Sequence, residues 1–216
     1  MTRVVYLHGF ASSPGSGKAQ FFARRFAEHG VAVDIPQLDE GNFRELTITG
    51  QLSVIGRAVG ERPAVLMGSS LGGYLAALYA STHASIERLV LMAPAFRFPA
   101  RWRERYAGDL ERWEREGSLP FFHYAFQDER LLGYRFVEDA AQYPDEPNFP
   151  QPALILHGTR DTVVPAAMSQ EYAESHPNVQ LRLYDSAHEL TDVLEPMWNE
   201  VARFVGISGV PKPIAK

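Results

Sequence analysis

The chain predicts an α/β domain, with a mainly parallel sheet of about six strands flanked by helices and a small helical lid insert. Three observations predict it. Short apolar runs alternate with longer amphipathic ones over most of the 216 residues. One run, "PAVLMGSS" (63–70), is continuously apolar, as in a strand covered on both faces. The segment 95–150 breaks the rhythm and is too long for a simple connection.

The elements follow in order. "RVVYLHG" (3–9) is a strand ending in Gly. A helix follows from Gly17 to about His29 and closes on Gly30. "VAVDIPQ" (31–37) is the second strand, and a helix fits 47–60. After the strand at 63–70 comes the small-residue helix "LGGYLAALYAST" (71–82), then the strand "IERLVLMAPA" (86–95). The segments 152–158, 165–177, 179–185 and 190–206 read as strand, helix, strand, helix. Strands alternating with helices imply right-handed crossovers and a parallel sheet, with ligands gathering outside the carboxyl ends of the strands. We therefore expect one domain over 1–206 and a flexible tail over 207–216. The 95–150 insert is rich in Arg and Glu, then in aromatics such as Trp102, Trp113, Phe121 and Phe136. Its charges suit a solvated helix face; its aromatics either pack the insert onto the sheet or line a pocket.

Composition narrows the function. Apolar residues make up 45 %, enough for a substantial core. The formal net charge of -5 gives no basic face for nucleic acid or an anionic membrane. There is no cysteine, which removes disulfides, thiolate zinc sites and a cysteine nucleophile, and fits a reducing cytoplasm. Met1-Thr2-Arg3 runs straight into "VVYLHG", so no export signal is expected. No apolar run approaches the ~20 residues of a membrane span. A cytoplasmic protein without stable membrane insertion is the expectation; oligomeric state is left open.

"GSSLGG" (68–73) contains Gly-x-Ser-x-Gly between an apolar strand and a helix. This is the nucleophile elbow, a sharp turn that presents a serine hydroxyl and needs glycine two residues to either side. Only Ser70 meets that rule, with Gly68 and Gly72; Ser69 is flanked by Met67 and Leu71.

A serine needs a base. His188, in "DSAHELTD", follows the last strand and so opens at the carboxyl end of the sheet. His29, His83 and His176 lie at helix ends, where capping is the ordinary role, and His123 lies in the insert. His157 ends a strand, just before the loop that must supply the acid. That acid is Asp161 in "HGTRDTVVP", placed to hold the imidazole in one tautomer. The order Ser70, Asp161, His188 is the one used on α/β-hydrolase sheets.

The stretch "LHGFASSPGSGKAQ" (7–20) carries two competing signals. A phosphate loop needs G-x-x-x-x-G-K-[ST], but Ser12 stands at its first glycine and Ala19 at its hydroxyl position. "HGF" instead fits an oxyanion loop after the first strand. The Phe10 and Leu71 backbone N–H groups are then the expected donors.

With these motifs in place the chain resembles the α/β-hydrolases, and most closely the compact bacterial YqiA-like esterases. The carrying motifs are "YLHGFASSPGSGKA", "GSSLGG", "HGTRDTVVP" and "SAHEL", which cover roughly 1–94 and 150–205. The resemblance implies hydrolysis of short acyl esters or thioesters with no metal or organic cofactor. The expectation is a serine carboxylesterase acting on small or medium acyl groups through an acyl-enzyme. Acyl-CoA or other thioester, lactone and peptide substrates stay open. A dehalogenase would need a carboxylate where Ser70 stands. A non-catalytic ligand-binding protein of this fold is the alternative of another class, and it would be expected to lack one of the three residues.

Overall fold

The computed structural model describes residues 3–207. The chain runs β1 (Val4–Leu7), α1 (Gly17–Ala27), β2 (Val33–Asp34), α2 (Ile48–Val59), β3 (Ala64–Ser69), α3 (Leu71–Ala80) and β4 (Ile86–Met92). The insert follows as α4 (Phe98–Arg105), α5 (Leu110–Glu116), β5 (Ser118–His123), β6 (Asp128–Gly133) and α6 (Arg135–Ala140). The chain then closes with β7 (Ala153–Gly158), α7 (Ala166–Ser175), β8 (Val179–Tyr184) and α8 (Leu194–Val205).

Six strands form one parallel sheet in the order β2-β1-β3-β4-β7-β8. The inner strands β1, β3 and β7 are buried at every residue, because helices cover both faces. The period-two alternation then divides the core. Val4 and Tyr6 face α1 and α8, with Phe22, Phe26 and Trp198, whereas Val5 and Leu7 face α2, α3 and the insert. The order reverses between β1 and β3, so the crevice that such sheets offer a ligand opens where the 8–10 loop and Ser70 lie.

Two of the helices start where a side chain satisfies a free N–H group. Ser16 accepts from Ala19 N–H at α1, and Thr47 accepts from Gly50 N–H at α2. All ten residues of α3 are buried, which explains its composition of Leu, Ala, Gly and Tyr.

Two expectations need revision. The strand expected over 31–37 is cut to Val33–Asp34, since it sits at the sheet edge and meets Pro36. The insert is not purely helical: β5 and β6 pair as an antiparallel hairpin among its three helices. Its aromatics divide. Trp113, Phe121 and Phe136 are buried in the core, while Phe122, Tyr124 and Phe126 are exposed. Arg97 ties the two stems of the insert together through Glu146 at 2.6 Å. Apart from Ile207, the tail expected over 207–216 lies outside the described residues. No helix among the described residues is long and apolar enough to cross a membrane.

Trp198 fastens α8 to α1: it is 1 % exposed and meets Phe26 edge-on at 5.0 Å between ring centroids. Trp198→Ala should lower unfolding stability by about 3–5 kcal/mol, read from urea denaturation.

Candidate active site

Ser70 stands between β3 and α3 with φ 54° and ψ -118°, a conformation that non-glycine residues rarely hold. Such strain costs about 1–3 kcal/mol and persists only where the surroundings impose it. Here they do. Ser70 N–H donates to Met92 C=O at 2.9 Å, and Ser70 C=O accepts from Gly73, Tyr74 and Ala95 N–H at 2.9, 3.1 and 3.1 Å.

The elbow glycines answer to space. A Cβ on Gly68 would lie 2.1 Å from Gly72 O, and a Cβ on Gly72 would lie 2.2 Å from Leu7 O and 2.5 Å from His8 O. The start of α3 is thus pressed directly against the end of β1. The same contact brings the 8–10 loop to the serine: a Cβ on Gly9 would stand 3.6 Å from Ser70 Cβ.

Phe10 and Leu71, the expected oxyanion donors, flank this contact. Among the described residues neither N–H joins a turn, cap or inter-element backbone bond. The peptide carrying Phe10 N–H is held from its other end. His8 Nε2 accepts from Leu38 N–H at 3.4 Å, so its Nδ1–H faces Gly9 C=O at 3.0 Å. In a trans peptide, fixing that carbonyl fixes the opposed Phe10 N–H. Burial pushes the His8 imidazole below the ordinary histidine range, which favours the neutral ring that this pair of bonds requires.

Asp161 and His188 come together from neighbouring strand ends. His188 Nδ1–H donates to Asp161 Oδ2 at 2.7 Å. The carboxylate is 0 % exposed and the imidazole 17 %. Asp161 Oδ1 accepts from Val163 and Val164 N–H, both at 2.8 Å. Burial alone would raise this carboxyl's pKa. The bonds from His157, His188 and Val164 N–H outweigh it and hold the group well below the usual carboxylate range.

The two loops meet because of another glycine. A Cβ on Gly158 would lie 2.3 Å from Ser186 O, and Thr159 N–H donates to Tyr184 C=O at 2.8 Å. Among the described residues no hydrogen bond joins Ser70 Oγ to His188, whose bond is to Asp161. Such bonds often tighten only when substrate is bound.

Three supporting residues escape the sequence reading. His157 Nε2 faces two acceptors, Asp161 Oδ2 at 3.2 Å and Val164 O at 2.9 Å, and so carries the proton. Its Nδ1 then accepts from Ser169 Oγ–H at 2.7 Å. A histidine ending an otherwise apolar strand was the available signal, because a buried ring must find partners. Gly158, the third, directly follows it. The other histidines serve elsewhere: His83 and His176 bond the carbonyls of Tyr79 and Tyr172, each at 2.8 Å, near helix ends.

Phe10 also links the site to the insert. Its ring packs on Trp102 at 4.9 Å, Phe43 at 5.4 Å and Phe121 at 5.8 Å.

Solved structures share this architecture. Alpha/beta hydrolase domain-containing protein 10 from mouse superposes with TM-score 0.77 at 20 % identity, covering 94 % of this chain and 89 % of its own. Est1E from Butyrivibrio proteoclasticus, with ferulic acid bound, gives TM-score 0.77 at 21 % identity, covering 95 % and 88 %. An alpha/beta hydrolase enzyme from a sediment metagenome of the Mar Chica lagoon, Morocco, gives 0.67 at 18 %, covering 95 % and 90 %. The fold is that of the α/β-hydrolases. The model of the Uncharacterised protein family (UPF0227) matches residues 3–205, and the chain, YqiA-like in its motifs, belongs to that family.

Proposed function

We propose that this chain is a cytoplasmic serine hydrolase that cleaves carboxylic esters of small or medium acyl groups through an acyl-enzyme. One observation carries the reading. A strained serine on a strand-to-helix turn and a His188–Asp161 pair bonded at 2.7 Å stand at the same end of one parallel sheet. Est1E, solved with ferulic acid bound, and the Mar Chica alpha/beta hydrolase enzyme, both of like fold, support the class of reaction. The absence of cysteine supports the compartment.

Ser70 Oγ attacks the carbonyl carbon and its proton passes to His188 Nε2. Asp161, already ionised, holds Nδ1–H and stabilises the imidazolium. The Phe10 and Leu71 N–H groups hold the oxyanion of the tetrahedral intermediate, a contribution of about 3–4 kcal/mol per donor. As the carbon–oxygen bond to the leaving group breaks, the imidazolium returns its proton to the departing alcohol. Water then attacks the acyl-enzyme by the same route, releasing the acid and restoring Ser70. A thiol leaves by the same steps, so acyl thioesters are substrates of the same site.

Ser70→Ala should abolish turnover of para-nitrophenyl acetate and labelling by a fluorophosphonate probe while leaving the circular dichroism spectrum unchanged. Wild-type turnover in the mutant would show that Ser70 is not the nucleophile; no labelling of Ser70 in the folded wild type would point to a binding protein instead.

His157→Leu tests the support of Asp161. With one donor to the carboxylate gone, kcat should fall about tenfold with little change in KM. An equal rise in KM would assign His157 to substrate binding.

A further inference from the structure

Proton transfer from Ser70 needs a fixed position for the His188 ring, and packing alone does not supply one. His188 stands midway along the loop that follows β8, and its neighbours Ala187 and Glu189 are exposed. The loop is anchored at its ends instead, by Ser186 at 0 % and Leu190 at 1 % exposure. Ser186 Oγ–H donates to Asp192 Oδ1, which closes the loop on itself around the histidine. Leu190 turns the chain there with φ 57°, a left-handed conformation that leucine rarely adopts.

Arg160, the residue before Asp161, reaches both ends of that loop. Its Nε pairs with Asp185 Oδ1 at 2.6 Å, and its Nη2–H donates to Asp185 C=O at 2.9 Å. The same Nη2 stands 3.8 Å from Asp192 Oδ2, on the carboxylate whose other oxygen takes the Ser186 hydroxyl. Arg160 N–H adds a bond to Ser186 C=O at 3.0 Å. One residue of the acid's loop thus binds the start and the end of the base's loop. A planar guanidinium suits this task, since its fork presents several N–H groups in fixed directions. Exposed ion pairs contribute little to stability, and Arg160, Asp185 and Asp192 are all exposed. Their place on either side of His188 points to geometry, not stability, as what they supply.

We propose that Arg160 is a positioning residue for the reaction. Its clamp on Asp185 and Asp192 fixes the His188 loop against the Asp161 loop, and so sets the reach of His188 Nε2 toward Ser70. The proposal rests on the hydrolase reading above. Arg160 acts through the loop and not on the reacting atoms. Its loss therefore falls on the chemical step and leaves substrate binding alone.

Arg160→Ala should lower kcat for para-nitrophenyl butyrate about tenfold, with KM within about twofold and the urea unfolding midpoint hardly moved. Labelling of Ser70 by a fluorophosphonate probe, which needs the same base, should slow in parallel. Arg160→Lys keeps the charge without the fork and should recover part of the loss. Asp192→Asn should lower kcat as well, and it keeps the test open if Arg160→Ala does not fold. The double variant should lose much less than the product of the two single losses, since both break one clamp. Arg57→Ala, which breaks the exposed Arg57–Glu40 pair on α2, should leave kcat unchanged. Wild-type kcat in Arg160→Ala, a loss carried by KM, a loss that tracks a fall in the unfolding midpoint, or single losses that multiply in the double variant would each overturn the proposal. In those cases wild-type turnover and labelling leave the hydrolase reading standing. A wild type that neither turns over the ester nor labels at Ser70 removes that reading, and this proposal with it.

Discussion

The site depends on backbones that approach too closely to admit a side chain. At Gly72 the start of α3 presses on the carbonyls of Leu7 and His8, and at Gly158 the end of β7 presses on that of Ser186. Each contact joins the end of one strand to the loop after another. Together they draw segments from four regions of the chain to one edge of the sheet. A parallel sheet makes this possible, because all six strands leave at the same end. Glycine makes it tight: main chain rests directly on main chain, and that spacing varies less than side-chain rotamers do. Ser70 is then held by four backbone bonds in a conformation it would not otherwise keep.

Electrostatics builds on that rigidity. An ionised carboxylate with no solvent exposure is unfavourable unless its oxygens are fully bonded. Asp161 achieves this with two backbone N–H groups on one oxygen and two histidines on the other. Because its folded pKa lies below the unfolded value, the group contributes stability above about pH 3.9 and loses it as pH falls through the folded value. His188 can therefore act beside a partner that stays charged at neutral pH. His157 and Ser169 extend the chain of bonds away from the reacting edge, so that Asp161 is oriented from behind as well as from its own loop.

Much of this was legible in the sequence, and the reason is local. Ser70 and Asp161 sit just past apolar strands and His188 just past an alternating one, in loops whose small and polar residues mark a turn. Order along the chain then did the rest. The hairpin was not legible. Phe121 and Phe122 lie on opposite faces of β5, one buried and one exposed, so apolar character hides the period of two. Pro120 argues against a strand, yet it lies on the exposed face. The turn is made by Gln127 with φ 53°, without the glycine that usually announces one. His157, by contrast, shows in the sequence only as a polar residue in an apolar strand; its partners Asp161 and Ser169 become visible once the loop is folded.

The insert is packed against the 8–10 loop through the Phe10 ring. Phe10 contributes its backbone N–H to the loop beside Ser70 and its side chain to a cluster with Trp102, Phe121 and Phe136. The hairpin turn adds a second tie, since Tyr124 N–H donates to Ala11 C=O at 2.9 Å. The position of the Phe10 peptide is thus set from both sides: by His8 through the Gly9 carbonyl, and by insert aromatics through the ring. Displacing the insert would withdraw packing from that loop while leaving the His8 bonds in place. The aromatic residues that looked in the sequence like a choice between packing and pocket serve chiefly as packing. The surface they pack is the loop on which charge stabilisation in the proposed reaction would depend, so the insert's geometry would bear on that proposal.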